Sequence, residues 1–125
     1  MLKALSQIFN RPRDEKQSND FSFTRFLVPY LNDYDGYAIF MDCDMMLRTD
    51  IYEVLNEIDP DSAVSAVQHD YTPSDTTKYL NKIQYAYPRK NWSSFVIWNC
   101  SHVKNRILTP TFVETASGLK LHRYT

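Results

Sequence analysis

The segment YAIFMDCD, residues 37–44, decides the fold prediction. Residues 37–41 form a nearly continuous apolar run of strand length, which is typical of a strand buried on both faces of a sheet. Two aspartates, Asp42 and Asp44, follow directly at its end. Side chains two residues apart on an extended chain project from the same face, so these two carboxylates can converge on one cation. Carboxylate oxygens suit Mg²⁺ or Mn²⁺, hard ions that take one or two carboxylates together with phosphate oxygens.

The residues on either side predict an α/β domain. Apolar residues recur at spacings of three and four over 23–31, which predicts an amphipathic helix capped by Asp20 or Ser22 and shortened or kinked by Pro29. The other predicted elements are a helix at 51–58 capped by Asp50, strands at 63–68 and 94–99, and a last helix opened by Pro110 and stopped by Gly118. Helices that alternate with strands favour a mostly parallel sheet flanked by helices.

Composition limits the classes of function. The chain has 125 residues, enough for one domain, and we expect a polar N-terminal segment at 1–19 followed by a single domain at 20–125. Its net charge of −1 provides no electrostatic footprint for nucleic acid, and two glycines are too few for a phosphate-binding glycine loop. No apolar stretch approaches membrane-spanning length and no signal peptide is predicted, so we expect a cytoplasmic protein without a transmembrane segment.

Three segments, in the same order along the chain, resemble one known family. Residues 40–51, which run from the apolar strand through Asp42 and Asp44 to Ile51, resemble the D-x-D segment of nucleotide-sugar glycosyltransferases with the GT-A fold, in particular family 8 and its bacterial relatives. Residues 23–31 are similar to the aromatic-x-Arg helix of that family, and residues 91–100 resemble its strand on the acceptor side. The resemblance implies a GT-A-like α/β domain, and we expect it to be incomplete at both ends.

The resemblance also implies a chemistry for particular residues. Asp42 and Asp44 would hold Mn²⁺ or Mg²⁺ bridging the diphosphate of a nucleotide-sugar donor, and Arg25 matches the arginine that reaches the donor's sugar or phosphates. The family has a further histidine ligand near its C-terminus, and His122 is the candidate here. The implied activity is transfer of the sugar to a glycan or lipid-linked acceptor, with the catalytic residue and the stereochemical outcome left open.

Further polar residues are candidates for contact with the acceptor or the sugar. His69 and Asp70 follow the second predicted strand and so are expected at the same sheet edge as the acidic pair, although a simple loop start explains them equally well. The chain has Trp-Ser-Ser at residues 92–94, where the family usually has Asn-Ala-Gly, and Asn91 and Ser93 are the candidates for the corresponding polar contact.

Two other classes of protein remain open. Phosphatases of the haloacid dehalogenase type also place D-x-D after an apolar strand, but they have Thr or Val two residues after the second aspartate, where this chain has Met46. The short length also fits a non-catalytic remnant of a transferase. A sheet without its first strand would expose an unpaired edge at 37–41 or 63–68, and we therefore expect possible self-association. A donor site also needs a base-binding wall and a closing C-terminal segment, which this chain barely carries, so we expect no useful turnover by the 125-residue chain alone.

Overall fold

The computed structural model describes residues 8–13, 22–69, 77–78, 82–83 and 90–122, which form a small α/β structure. The strands are β1 (Tyr37–Met41), β2 (Val64–His69), β3 (Thr77–Lys78), β4 (Lys82–Ile83) and β5 (Lys90–Asn99). The helices are a first 3₁₀ helix (Thr24–Leu27), α1 (Val28–Leu31), α2 (Ile51–Leu55), a second 3₁₀ helix (Val103–Ile107), α3 (Pro110–Thr115) and α4 (Gly118–His122).

The main sheet has three strands in the order β1-β5-β2, and β5 is antiparallel to both of its neighbours. The prediction of a mostly parallel sheet is therefore wrong for the described strands, all of whose pairings are antiparallel. The described residues between β2 and β5 are the short antiparallel pair β3–β4, and an antiparallel neighbour needs no helical crossover. Because β1 and β2 each oppose β5, these two strands still run in the same direction.

One face of the sheet packs against the core. Ala38 and Phe40 of β1 lie opposite Trp98 and Val96 of β5, and all four contribute to a core completed by residues of the first 3₁₀ helix, α3 and α4. The alternate residues of β1 are exposed on the other face, by 48% for Tyr37, 39% for Ile39 and 37% for Met41. The expectation that residues 37–41 are buried on both faces is wrong, because only Ala38 and Phe40 of this strand pack against the core cluster.

The predicted helix over 23–31 is a 3₁₀ turn followed by a single α-helical turn. Pro29 lies in the first turn of α1, where its missing N–H costs no helical hydrogen bond. The N-cap residue of the 3₁₀ turn is Phe23, whose side chain makes no capping hydrogen bond. The prediction of Ser22 as the cap is therefore wrong, and Asp20 lies outside the described residues.

Two of the predicted helix starts are confirmed. Asp50 Oδ1 accepts a hydrogen bond from Tyr52 N at 3.0 Å at the start of α2, and Pro110 occupies the first turn of α3. The α2 helix is shorter than the predicted 51–58. Gly118 does not stop the last helix, since α3 ends at Thr115 and Gly118 begins α4. A Cβ at Gly118 would lie 3.1 Å from the Phe23 ring, so the close approach of α4 to that ring favours glycine there.

The described part of the N-terminal segment is attached to the domain. Phe9 packs against the core, and the Arg11 guanidinium lies 3.8 Å from the centroid of the Phe23 ring. Arg11 Nη1 also donates hydrogen bonds to Val113 O at 2.6 Å and to Ala116 O at 2.7 Å. Residues 8–13 are therefore anchored on α3, whereas the rest of the predicted polar segment, 1–7 and 14–19, lies outside the described residues.

None of the helices in the described ranges has the length and hydropathy needed to cross a membrane.

Candidate functional site

The strand directions bring most of the predicted site residues to one end of the sheet. Since β1 and β2 run the same way, Asp42, which follows β1, and His69, the last residue of β2, lie at the same end. β5 begins at that end, where the backbone register places Lys90 opposite His69 and Asn91 opposite Gln68. The residues that follow β1 and end β2 therefore lie at one end of the sheet, although the strands pair antiparallel.

The backbone of Asp42 is held by two hydrogen bonds. Asp42 N donates to Ser94 O at 2.9 Å, which continues the β1–β5 pairing one residue beyond Met41. Met45 N donates to Asp42 O at 3.2 Å and closes a turn of four residues that contains Cys43 and Asp44. The extended geometry expected for the acidic pair is therefore wrong, because the chain turns at Asp42, and the alternation rule for a strand does not apply.

The turn leaves both carboxylates accessible to solvent. The side chain of Asp42 is 32% exposed, and Asp44 is exposed. Within the described ranges no group of three or more His, Cys, Asp and Glu side chains is arranged to hold a metal ion. The arrangement at this turn is therefore a pair of acids, which matches the one or two carboxylates that Mg²⁺ or Mn²⁺ takes when phosphate oxygens complete its coordination.

Arg25 lies beneath this turn and is 5% exposed. Its Nη2 is 3.6 Å from Asp42 Oδ1, an ion-pair distance longer than a hydrogen bond. Its Nη1 donates a hydrogen bond to Ser93 O, and its guanidinium carbon lies 4.8 Å from the centroid of the Phe40 ring. The Nε atom is buried without a hydrogen-bond partner. Arg25 thus connects the first 3₁₀ helix, the end of β1 and the first half of β5.

Two of these contacts could not be found by searching for functional side chains. Ser93 was predicted as a polar contact, and the structure uses its backbone carbonyl, which every residue type possesses. Phe40 was predicted only as part of an apolar strand, and the structure places its ring against the guanidinium. The period of two along β1 could have indicated that Phe40 faces inward with Ala38.

His122 lies beside two phenylalanine rings. Its ring lies at the end of α4, with its centroid 5.8 Å from that of Phe23 and 5.1 Å from that of Phe26. No group of three or more metal-ligand side chains is found within the described ranges, and His122 as a third ligand stays a prediction. Asp70, the remaining candidate, lies outside the described residues.

The two cysteines lie in different surroundings. Cys43 is exposed in the turn between Asp42 and Asp44, whereas Cys100 is fully buried. Burial raises the pKa of the Cys100 thiol, because the interior disfavours the charged thiolate. Cys43 is therefore a reporter group within the candidate site, and Cys100 is the internal reference.

Comparison with curated proteins finds Protein CDI of Arabidopsis thaliana, which is 50% identical to this chain over 117 residues. The match covers 94% of this chain and 45% of that protein, so the chain spans a little under half the length of the relative. No family model and no solved structure matches the chain. The name of the relative states no activity.

Proposed function

We propose that this chain belongs to a glycosyltransferase that moves a sugar from a nucleotide-diphosphate donor to a glycan or lipid-linked acceptor. The observation that carries the proposal is the contact of Arg25 with both Asp42 and Ser93. These residues come from three separate segments, each of which resembles a segment of GT-A transferases, and Arg25 and Ser93 are 68 positions apart in the sequence. A chance D-x-D in a surface loop would not require a buried arginine to join it to the other two segments.

The acidic pair fits a divalent metal ion. Asp42 and Asp44 offer hard oxygen ligands, both have access to solvent, and their number suits an ion that shares its coordination with a diphosphate. When bound, Mn²⁺ or Mg²⁺ would act as a Lewis acid that neutralises the charge developing on the leaving nucleoside diphosphate.

The chain's own residues position Asp42 for this role. The hydrogen bonds to Ser94 O and from Met45 N fix the backbone of Asp42, and the Arg25 ion pair restricts its carboxylate. A ligand group that is already oriented loses less conformational entropy when it binds. His69 and Asn91, whose backbones lie at the same end of the sheet, are the proposed contacts for the acceptor or the sugar.

The proposal is tested by titrating the full chain with Mn²⁺ and measuring free Mn²⁺ by electron paramagnetic resonance, with and without uridine diphosphate. We expect weak binding of the ion alone and at least about tenfold tighter binding with the diphosphate, because phosphate oxygens complete the coordination. Asp44→Asn should lose this synergy. Asp61→Asn is the matched control, because Asp61 lies in an exposed turn before β2, at the opposite end of the sheet.

Equal affinity for Mn²⁺ with and without uridine diphosphate would contradict the proposal. Formation of a beryllofluoride adduct on Asp42 in place of that synergy would instead assign a phosphatase of the dehalogenase type.

A further inference from the structure

We propose that Arg25 is a positioning residue whose fixed positive charge makes the acidic pair select a metal–diphosphate complex over the bare metal ion. The inference rests on the proposed function and concerns the selectivity of the same site. It differs from the role that the resemblance implies for Arg25, which is direct contact with the donor.

The position of the charge is set by packing. Arg25 is 5% exposed, its guanidinium lies against the Phe40 ring, and Nη1 is engaged by Ser93 O. A buried guanidinium can leave such a place only at the cost of its contacts and of a new cavity. Arg25 is therefore held as a cation beside Asp42 whether or not a ligand is present.

Arg25 does not use all of its hydrogen-bond donors. A guanidinium has five N–H donors, and the buried Nε has no partner. The contact with Asp42 is 3.6 Å, too long for a hydrogen bond, so it acts through charge. Asp42 thus keeps its oxygen lone pairs for another ligand while it remains next to a positive charge.

The charges of the cluster determine which ligand it favours. Two carboxylates and one guanidinium leave a single net negative charge, and a bare divalent ion would convert this into a net positive charge beside the fixed Arg25. That repulsion weakens binding of the ion alone, since charges a few ångströms apart inside a protein interact strongly. A nucleoside diphosphate brings negative charge with the ion and turns the same guanidinium into a favourable neighbour.

The test measures binding of Mn²⁺ alone and of Mn²⁺ with uridine diphosphate, so it does not depend on turnover. Arg25→Gln removes the charge, and we expect bare Mn²⁺ to bind on the order of tenfold tighter, with the synergy from uridine diphosphate reduced by a similar factor. Arg25→Lys keeps the charge and should retain the wild-type preference.

Arg11→Gln is the matched control, because Arg11 also stacks on a phenylalanine ring and donates to backbone carbonyls, but it belongs to the anchored residues 8–13. We expect its Mn²⁺ affinities to equal those of the wild type. Thermal unfolding of each variant identifies the folded samples. If Arg25→Gln does not fold, the comparison of Arg25→Lys with the wild type still decides, since loss of the preference in the lysine variant overturns the inference.

The remaining outcomes separate the two proposals. Unchanged affinity of folded Arg25→Gln for bare Mn²⁺ overturns the role of Arg25 and leaves the metal site intact. Weaker binding of uridine diphosphate, with unchanged affinity for the bare ion, assigns Arg25 as a direct ligand of the donor and also overturns it. A wild-type chain that binds neither Mn²⁺ nor the diphosphate overturns the proposed function and this inference together.

Discussion

Arg11 and Arg25 have similar neighbours in two separate regions of the molecule. Each guanidinium lies over a phenylalanine ring, at 3.8 Å from the Phe23 centroid for Arg11 and 4.8 Å from the Phe40 centroid for Arg25. Each Nη1 donates to backbone carbonyl oxygens of another segment. The remaining neighbours differ, because Arg25 also faces the carboxylate of Asp42.

This difference separates an anchoring arginine from one with a proposed role in binding. The carbonyls that Arg11 bonds lie at the end of α3 and are satisfied when the arginine is present, so the contact ties residues 8–13 to the domain. Asp42 keeps 32% of its side chain exposed and can bind a further ligand beside Arg25. The charge of the partner, and its access to solvent, therefore matter more than the stacking that the two arginines share.

The largest expected effect follows from removing the buried arginine. Arg25→Ala should lower the free energy of unfolding by about 2–4 kcal/mol, because it empties a buried volume and breaks an ion pair and a carbonyl hydrogen bond. Urea denaturation monitored by tryptophan fluorescence measures the loss. A loss of unfolding free energy smaller than the loss caused by Arg11→Ala would show that burial of Arg25 contributes little to stability.

A smaller loss is expected at the other arginine. Arg11→Ala should lower the free energy of unfolding by about 1–2 kcal/mol, because two carbonyl hydrogen bonds and a cation–π contact are lost at a half-buried position. The loss should be accompanied by faster proteolysis near residues 8–13, while Mn²⁺ binding stays unchanged. Proteolysis at the wild-type rate would contradict the anchoring role.

The smallest perturbation uses the two thiols. Cys43, in the turn beside Arg25 and Asp42, should react with a maleimide in the folded chain, whereas Cys100 should react only after unfolding because it is fully buried. The raised pKa of Cys100 acts in the same direction, since a raised pKa leaves less thiolate at any given pH. Labelling is followed by peptide mass spectrometry between pH 7 and 9.

Ligands should distinguish the two regions in the same experiment. Mn²⁺ with uridine diphosphate should slow labelling of Cys43 by about threefold or more, because a ligand of the native state covers or orders the turn. The rate with uridine diphosphate alone, in buffer without Mn²⁺, is the control. Equal rates under both conditions would place the ligand away from the turn that Arg25 supports.

Much of the local structure was predictable from short-range patterns. The apolar run at 37–41 is β1, Asp50 caps α2, and Pro110 begins α3, because each depends on residues close in the sequence. The position of the acidic pair at the end of a strand was predictable for the same reason. The proposed chemistry of that pair stays a prediction.

The pairing of β1 and β2 with a central β5 was not predictable from those patterns. The alternation of helices and strands suggested parallel neighbours, but the described residues between β2 and β5 are the short pair β3–β4, and β5 pairs antiparallel with β2. The exposed face formed by Tyr37, Ile39 and Met41 was not predicted either. An apolar run predicts a strand, but it does not indicate which face of that strand the rest of the chain covers.

The sequence by itself determined where β1 lies, that two acids follow it, and where α2 and α3 begin, because strand propensity, caps and proline act within a few residues. Only the tertiary structure decided that Arg25 lies against Asp42 and Ser93 and that His122 packs beside Phe23 and Phe26. Contacts of this kind join residues far apart in the chain, and they depend on how the sheet and helices pack. Patterns within a few neighbouring residues do not predict that packing.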